Sequence, residues 1–435
     1  MTFPVISLKP SYNSIIRGCP GLAETLPRLE CELRIRSNDG KPFVLSNIEV
    51  IFRTIESLNS SGHSFSSKPK LEKETVHCRK NIKVSDKRLI GIDVPITIAI
   101  PEGIKQTNLN PKFGQCYSVL ECTAYYFLNA GTTTPLKRSF FSYVNVERFD
   151  VFASLKDPKP LRRQQTSPDG KFVVKYTFNN SLVTVDDLLQ VEVEIIPNLS
   201  ALGSHATQKI FNKKSKFKSM TCEFKELLEV HDAHVDFKEN LLKSTNRTFN
   251  ETIGASGIKV QSEIRICTRN ELFKQYEQSM SEPAVLFRLP NHEPDLTTVP
   301  KTVLLKNKNR AIPYNYHTSV TTRGSLFSIT HAVTLRLKIS NAKDFEMTQP
   351  IEVTPWLAPH TKHIAGVVAQ EREIARNARA FYESFGGLTR NKHTGELEYP
   401  SLPPVVYTAD RNTLVHHGIL YSISSEQPQR IPVIE

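Results

Sequence analysis

The most regular feature of the sequence is an alternation of apolar and polar residues from Phe327 to Ile339. Apolar residues take the odd positions, interrupted by His331, and the even positions are mostly polar. A period of two residues predicts a β-strand with one buried and one wet face. Turn-forming residues follow from Asn341, and Pro350 begins a return segment, which indicates a hairpin. A long strand with a polar outer face is typical of an antiparallel sandwich.

Shorter alternations of the same kind occur on both sides of a charged stretch that contains Pro158 and Pro160. Two prolines among charged residues favour an interdomain linker. The alternations before this break lie at 29–35, 48–52, 92–100, 117–127 and 140–146, and those after it at 172–178, 189–195, 220–224, 258–266 and 327–339. We therefore predict an all-β protein of tandem antiparallel β-sandwiches, with domains at 1–155 and 170–357 and a linker at 156–169.

Two stretches have helical rather than strand periodicity. Residues 269–280 predict a short helix, and residues 363–385 predict a longer one that ends at Gly386 and Gly387. We expect the longer helix to pack its apolar stripe on the second sandwich, or alternatively to dock a partner. Its charged residues are then expected to face outwards, at Glu371, Arg372, Glu373, Arg376 and Arg379. With the remaining residues it forms a predicted helix and C-terminal tail at 358–435.

The charge balance favours acidic partners. The chain has 435 residues and a formal net charge of +12, which suits anionic lipids, acidic or phosphorylated protein segments, or nucleic acid, but also simple solubility. Nucleic acid is the least favoured of these, because no known motif and no basic-aromatic interleaving is present. The densest basic cluster is Lys213, Lys214, Lys216 and Lys218. It predicts a contact with anionic lipid or phosphate, and the alternative is a solvated loop.

The sequence gives no indication of a catalytic site. It contains no GxSxG, HExxH, Walker or GxGxxG motif, and none of its seven cysteines forms a CxxC pair. His231 and His234 resemble metal ligands, but strand alternation explains their spacing more simply. His331 is expected to be a hydrogen-bonded core residue. We therefore predict a protein that is not an enzyme and holds neither metal nor cofactor.

The cysteine usage and the lack of an apolar run of about 20 residues predict a cytoplasmic protein. Cys31, Cys122 and Cys222 lie within apolar alternations and are expected to be small buried residues. The chain opens without a basic region followed by an apolar core, so no signal peptide is predicted.

The order of the predicted elements resembles the arrestin fold. The stretch LPRLECELRIRSNDGKPFVLSNIEVIFRTIE at 26–56 is similar to the start of the fungal α-arrestins, the arrestin-related trafficking adaptors. The stretch LIGIDVPITIAIPEGI at 89–104 is similar to the N-terminal domain of the same family. The resemblance covers residues 17–355 and lies in pattern rather than in a short motif.

This resemblance implies a non-catalytic adaptor. Family members bind membrane transporters or receptors as cargo and recruit a HECT-type ubiquitin ligase, whose WW domains grip a Pro-Pro-x-Tyr motif. The cargo then enters ubiquitin-dependent endocytosis and trafficking. The resemblance thus implies a cytoplasmic protein that is peripheral at the plasma membrane and endosomes. An arrestin-fold sorting or coat subunit, similar to the arrestin-like retromer component, is the alternative.

The sequence departs from the family in its ligase-binding motif. No Pro-Pro-x-Tyr is present, and the nearest segment is Pro403-Pro404-Val405-Val406-Tyr407, which is one residue longer. A WW groove reads proline spacing through a rigid polyproline helix, so the extra residue displaces the tyrosine. Pro403, Pro404 and Tyr407 are therefore a degenerate ligase-binding site by this reading. The other reading is an extended segment that packs on a sandwich edge.

Overall fold

The computed structural model describes most of the chain, at residues 2–11, 14–58, 71–84, 88–110, 113–127, 134–152, 159–185, 187–199, 215–231, 238–266, 304–307, 310–313, 320–392, 395–408, 413–416 and 419–422. Its N-terminal half forms the strands β1 (Pro4–Pro10), β2 (Ile16–Arg17), β3 (Arg28–Ser37), β4 (Phe43–Leu58), β5 (Glu72–Lys83), β6 (Arg88–Ala99), β7 (Asn108–Asn110), β8 (Gly114–Phe127) and β9 (Leu136–Val144). A single 3₁₀ turn at Ala23–Thr25 connects β2 to β3 in this part.

The N-terminal strands form two layers that pack face to face. One layer has the order β5-β4-β8-β9, and the other pairs β1 with β3 and β3 with β6, all antiparallel. The layers join where Phe43 and Val44 pair with Leu89 and Arg88. The apolar positions of the alternations meet between the layers, among them Leu33, Val50, Phe52, Ile96 and Leu120. Burial of these side chains is the driving force that holds the layers together.

The second half builds another sandwich. The strands of this half are β10 (Leu161–Thr166), β11 (Phe172–Phe178), β12 (Leu182–Val185), β13 (Leu188–Pro197), β14 (Lys216–Val230), β15 (Lys238–Thr252), β16 (Ile258–Arg265), β17 (Leu304–Asn307), β18 (Arg310–Pro313), β19 (Thr322–Arg323), β20 (Phe327–Ile339) and β21 (Phe345–Leu357). Of these, β17 and β18 form a separate two-stranded sheet. One layer has the order β10-β11-β13-β16, and the other has the order β12-β21-β20-β14-β15, with β12 parallel to β21. The predicted all-β tandem sandwich is therefore confirmed.

The long alternation at Phe327–Ile339 forms β20 with the predicted bounds. Its odd-numbered side chains lie in the core with those of β14, and His331 is 1% exposed among them. Its ring stacks on Phe224 at 5.6 Å between centroids, and its Nδ1 lies 3.2 Å from Thr321 Oγ1. Burial lowers the pKa of His331 to about 3, so the imidazole is neutral in the folded protein. The expectation of a hydrogen-bonded core histidine is confirmed.

One helix follows the second sandwich in the described part of the chain, α1 (Ala358–Glu383), and it begins five residues before the predicted start. The segment after it forms β22 (Thr389–Arg390), β23 (Leu397–Glu398), β24 (Val405–Thr408), β25 (Thr413–His416) and β26 (Ile419–Ser422). β24 pairs with β6, so the C-terminal segment extends a layer of the N-terminal sandwich. Part of the stretch predicted as a linker, β10, is a strand of the second sandwich.

The helix packs on the N-terminal sandwich, which corrects the expectation that it would cover the second one. Its side chains Ile364 and Val368 pack with Cys19 and Phe149 of the N-terminal half, and with Trp356 at the end of β21. Further along, the Tyr382 hydroxyl lies 3.0 Å from Thr97 Oγ1 of β6. The apolar stripe was predicted correctly, but an amphipathic helix does not encode which apolar surface it covers.

Two long strands were missing from the sequence prediction. β5 and β15 each pair with a single neighbour and expose most of their residues. Their composition is charged and polar, so no alternation marks a buried face. Backbone pairing with β4 and β14 makes them strands, because each neighbour offers a long row of backbone donors and acceptors.

Candidate interaction surfaces

The predicted ligase-binding segment lies on the edge of β6. Val405 pairs with Asp93 and Tyr407 with Gly91, in antiparallel register. The Tyr407 hydroxyl donates to Asp93 Oδ2 at 2.8 Å, and the Arg36 guanidinium lies 4.3 Å above its ring centroid. The segment therefore takes the edge-packed form that was the alternative reading, and a WW groove would require it to leave the sheet. Direct ligase binding stays a prediction.

Half of the predicted lysine cluster is described. Lys216 and Lys218 are exposed at the start of β14, where the Lys216 backbone N–H donates to Ser340 Oγ at 2.6 Å. Lys213 and Lys214 lie outside the described residues. Exposure of Lys216 and Lys218 suits a contact with an anionic surface, which stays a prediction.

The histidines do not assemble a metal centre in the part of the chain that is described. His231 Nε2 lies 2.9 Å from Ser328 Oγ, and no group of three metal-binding side chains occurs among the described residues. His234 and the helix predicted at 269–280 lie outside them. Cys31, Cys122 and Cys222 are buried as expected, and burial raises the pKa of Cys122 to about 12. A thiol with such a pKa stays protonated and is a poor nucleophile.

The helix carries one charged residue that sequence reasoning misplaced. Glu371 was expected to face outwards, but it is 8% exposed. Its Oε2 accepts from the Gly18 backbone N–H at 2.7 Å, and its Oε1 lies 3.5 Å from Arg17 Nη2. Arg372 and Arg376 do face outwards and pair with Glu24 and Glu373. Glu371 thus anchors the helix to the N-terminal sandwich through a buried charge-assisted hydrogen bond.

The two sandwiches meet through a buried carboxylate. Glu56, at the end of β4, is 2% exposed and accepts from the Ser325 backbone N–H, the Ser325 hydroxyl and the Leu326 backbone N–H at 2.7–2.9 Å. A Cβ at Gly324 would lie 2.2 Å from Glu56 Oε2, so a glycine is required at this approach. Sequence reasoning missed this contact, because the two residues are 269 positions apart.

Further contacts complete this junction. The Asn108 amide donates to the Val320 carbonyl at 2.9 Å and to Thr322 Oγ1 at 2.8 Å, and the Asn110 amide donates to Glu226 Oε2 at 2.9 Å. An apolar cluster from both halves surrounds these bonds, comprising Phe113, Cys116, Leu228, Val230, Leu326, Phe327 and Ile329. Buried hydrogen bonds beside an apolar cluster define one arrangement of the two sandwiches and disfavour others.

A second surface lies on the outer side of the layer β5-β4-β8-β9, and we call it the aromatic face. Its side chains alternate with the core residues of the same strands, so they point away from the sandwich interior. Four aromatic and four aliphatic residues occupy it, at Tyr117, Tyr125, Phe141, Tyr143, Ile51, Ile55, Val76 and Val119. Their alternation with core residues along β8 and β9 was present in the sequence, but only the strand register brings them together.

The described part of the chain contains no helix long and apolar enough to cross a membrane. No protein-family model matches the chain. The sequence is similar to RHO1 GEF localizing protein 1 of Saccharomyces cerevisiae (strain ATCC 204508 / S288c), with 35% identity over 498 aligned residues that cover all of both proteins. Similarity of this degree over the full length shows common descent and a common fold. The chain therefore belongs to the family of the RHO1 GEF localizing protein.

Proposed function

We propose that this protein is a non-catalytic scaffold that recruits a guanine nucleotide exchange factor of a Rho-type GTPase to its place of action. The observation that carries the proposal is the 35% identity, over the whole of both chains, to a protein named for localizing a RHO1 GEF. The junction at Glu56 supports a scaffold, because it joins two sandwiches into a platform with surfaces on both. The buried cysteines of the described part, which lack an activated thiol, also suit a binding role.

The site of action that we propose is the cytoplasmic surface of a membrane. Lys216 and Lys218 support this, since they are exposed near one end of the second sandwich. Basic residues contribute about 1 kcal/mol each when they lie near an anionic membrane. The tandem sandwiches and the stretches at 26–56 and 89–104 also support a relation to the α-arrestins.

The test is the position of the exchange factor in cells of the organism that carries this chain. Each Rho1-type exchange factor, fused to a fluorescent protein, is followed in cells with and without the scaffold. We expect one of them to lose its concentrated position in the absence of the scaffold and to regain it with the wild-type chain. The exchange rate of the purified factor should stay unchanged on addition of the scaffold, since localizing requires no catalysis. An unchanged position of every factor contradicts the proposal.

An adaptor for a HECT-type ubiquitin ligase, with a transporter or receptor as cargo, is the second candidate. The half-buried Pro403 and Pro404 directly before β24 favour it, because they are the nearest match to a WW-binding motif. A pull-down of the ligase with the wild type and with Tyr407→Ala tests it. Loss of binding in the variant supports the adaptor, whereas equal or absent binding contradicts it. Stoichiometric co-purification with other subunits, and with neither ligase nor exchange factor, supports the sorting-subunit alternative.

A further inference from the structure

The end of the first sandwich that lies away from the junction carries a group of exposed cations, and we call it the basic end. β4 runs from this end to the junction, and the 13 residues from Phe43 to Glu56 span about 43 Å. β4 and β9 begin here, β5 ends here, and β6 begins here. The basic end comprises the exposed residues Lys41, Lys83, Arg88, Lys137 and Arg138.

The strand register places these cations close together. Lys83 of β5 and Lys137 of β9 lie in one row across the layer β5-β4-β8-β9, with two strands between them. Arg88 of β6 pairs with Val44, which lies one row nearer the end of the layer. Strands are about 5 Å apart and rows on one face about 7 Å apart, so these three cations start from positions within about 20 Å of one another.

The positive charge of the basic end is not neutralised in the part of the chain that is described. No ion pair there involves Lys41, Lys83, Arg88 or Lys137. Asp39, the carboxylate at this end, already accepts from the Thr2 hydroxyl at 2.8 Å and the Ser37 hydroxyl at 3.0 Å. Glu49, one row towards the junction, lies 3.7 Å from Arg79. Residues 85–87 and 128–133 lie outside the described residues, and one Asp and one Lys among them cancel in charge.

Aliphatic side chains are exposed beside these charges. Leu136, at the start of β9, is 46% exposed, and Val5 of β1 is 45% exposed. The two strands approach each other at this end, because the Arg138 guanidinium lies 4.9 Å from the centroid of the Phe3 ring. Exposed leucine next to lysine and arginine is the composition with which proteins enter a membrane interface, where the apolar side chain is buried and the charges stay among the headgroups.

A lipid surface suits the basic end better than a protein partner does. A specific protein interface covers about 800 Å² on each side and has an apolar core. Two exposed aliphatic side chains at the end of a sandwich do not supply such a core. Lysine is also depleted at protein interfaces, whereas three of the five cations here are lysines. Attraction to an anionic membrane requires neither a fixed partner geometry nor an apolar core.

We propose that the basic end is a contact with a membrane that contains anionic lipid. Its lysines and arginines meet the headgroups, and Leu136 enters the boundary between headgroups and acyl chains. This inference rests on the proposed function, in which the scaffold acts at a membrane surface. It adds a second contact to the one proposed at Lys216 and Lys218, which belong to the other sandwich.

Sedimentation of the purified full-length chain with lipid vesicles tests the contact. We expect binding to phosphatidylcholine vesicles with about 30% phosphatidylserine, and at least about tenfold weaker binding to phosphatidylcholine alone. Lys83→Glu with Lys137→Glu should weaken binding to the anionic vesicles at least about twentyfold, since each basic residue contributes about fivefold. Lys243→Glu with Lys392→Glu is the matched control, because both lysines are exposed and lie away from the basic end. The control should bind within about threefold of the wild type.

The apolar part of the contact has a separate test. Leu136→Ser should weaken binding to the anionic vesicles about tenfold, because a buried aliphatic side chain is lost. The loss should persist between about 0.1 M and about 0.3 M salt, since ions do not screen apolar burial. Leu241→Ser is the matched control, as Leu241 is 53% exposed on the edge strand β15. Equal binding of the two serine variants overturns the insertion of Leu136. Circular dichroism and thermal unfolding confirm that each variant folds.

Other outcomes overturn the basic end as a lipid contact. The inference fails if the wild type does not bind anionic vesicles, or if Lys83→Glu with Lys137→Glu binds them as the wild type does. Loss of binding with Lys216→Glu and Lys218→Glu alone assigns the membrane contact to the second sandwich. Retained vesicle binding with lost exchange-factor binding, in the variant of Lys83 and Lys137, assigns the basic end to an acidic protein.

The proposed function fails on a different measurement. It is wrong if no exchange factor changes its position in cells that lack the scaffold, whatever the vesicles show. If a factor does lose its position and the wild type binds no anionic vesicles, only the lipid contact is wrong. The variant of Lys83 and Lys137 should bind the purified exchange factor as the wild type does, since the basic end contacts lipid.

Discussion

The outer faces of the two sandwiches differ more than their cores do. In the second sandwich the outer side of the layer β15-β14-β20-β21 carries rows such as Asn246, Thr221, Arg336 and Glu346. Hydroxyls, amides and ion pairs fill it, with Thr334 Oγ1 lying 3.0 Å from Thr348 Oγ1. The aromatic face of the first sandwich carries rings and aliphatic side chains beside its charged residues. One architecture therefore tolerates both compositions on the outer side of its layers.

The largest effect is expected at Glu56, because its carboxylate joins the two sandwiches. Glu56→Ala leaves the backbone N–H groups of Ser325 and Leu326 without their acceptor inside the junction. We expect a loss of about 3 kcal/mol in the free energy of unfolding, because buried donors are left unsatisfied. Urea unfolding monitored by the fluorescence of Trp356 measures it. Glu346→Ala is the control, since its carboxylate is 51% exposed. Equal losses in the two variants contradict a structural junction.

The pH dependence of stability is expected to differ between the two sandwiches, because His331 is buried in the second one. The pKa of His331, about 3, lies below its usual 6.5, so the unfolded chain binds the proton more readily. Its stabilising contribution is complete above about pH 6.5 and is lost as the pH falls, at about 1.4 kcal/mol per pH unit. Between about pH 6.5 and pH 5, His331→Leu should flatten the loss of stability by about 2 kcal/mol.

His77 of the first sandwich provides the comparison for this measurement. Partial burial lowers its pKa in the same direction, and its Nε2 lies 2.7 Å from Thr54 Oγ1. Since His77 is half-buried rather than buried, His77→Leu should flatten the pH dependence by less than His331→Leu does. Urea midpoints at several pH values measure both. A larger effect of His77 would show that the first sandwich is the acid-sensitive one.

Truncation on the two outer faces compares their packing. Val119→Ala removes two methyl groups from a position that is 3% exposed, and we expect a loss of about 1–2 kcal/mol. Thr221→Ala, on the polar face, removes a hydroxyl that donates to Asn246 Oδ1 at 3.2 Å, and should cost less than about 0.5 kcal/mol. Thermal unfolding of the two variants measures both losses of stability. Equal costs would mean that the aromatic face is packed no better than the polar one.

A small effect is also expected from the ion pairs of the polar face. Arg336 lies 3.0 Å from Glu223 and 2.9 Å from Glu346, but its side chain is 47% exposed. Solvent therefore screens both pairs, and Arg336→Met should cost less than about 1 kcal/mol. The difference from the wild type should shrink at high salt, since exposed pairs are screened by ions. A loss that is insensitive to salt would indicate packing by the arginine stem instead.

The local pattern of apolar and polar residues was sufficient to predict strands that bury one face. β3, β13 and β20 were predicted because alternate residues enter a core, and a period of two residues leaves that signature in the sequence. β5 and β15 left no such signature, since their side chains are mostly solvated on both sides. The position of Tyr407 on β6 was one of two readings, and only the pairing of β24 with β6 decided between them.

The sequence by itself determined the all-β class, the tandem sandwiches, the helix with its apolar stripe and the core position of His331. These features depend on the alternation of apolar and polar side chains over neighbouring residues, which can be read directly from the sequence. The tertiary structure alone decided that α1 packs on the first sandwich, that Glu56 binds Ser325, and that Tyr143 and Ile55 share the aromatic face. Such contacts join residues far apart in the chain, and their partners are selected by strand register and by the shape of the buried surfaces.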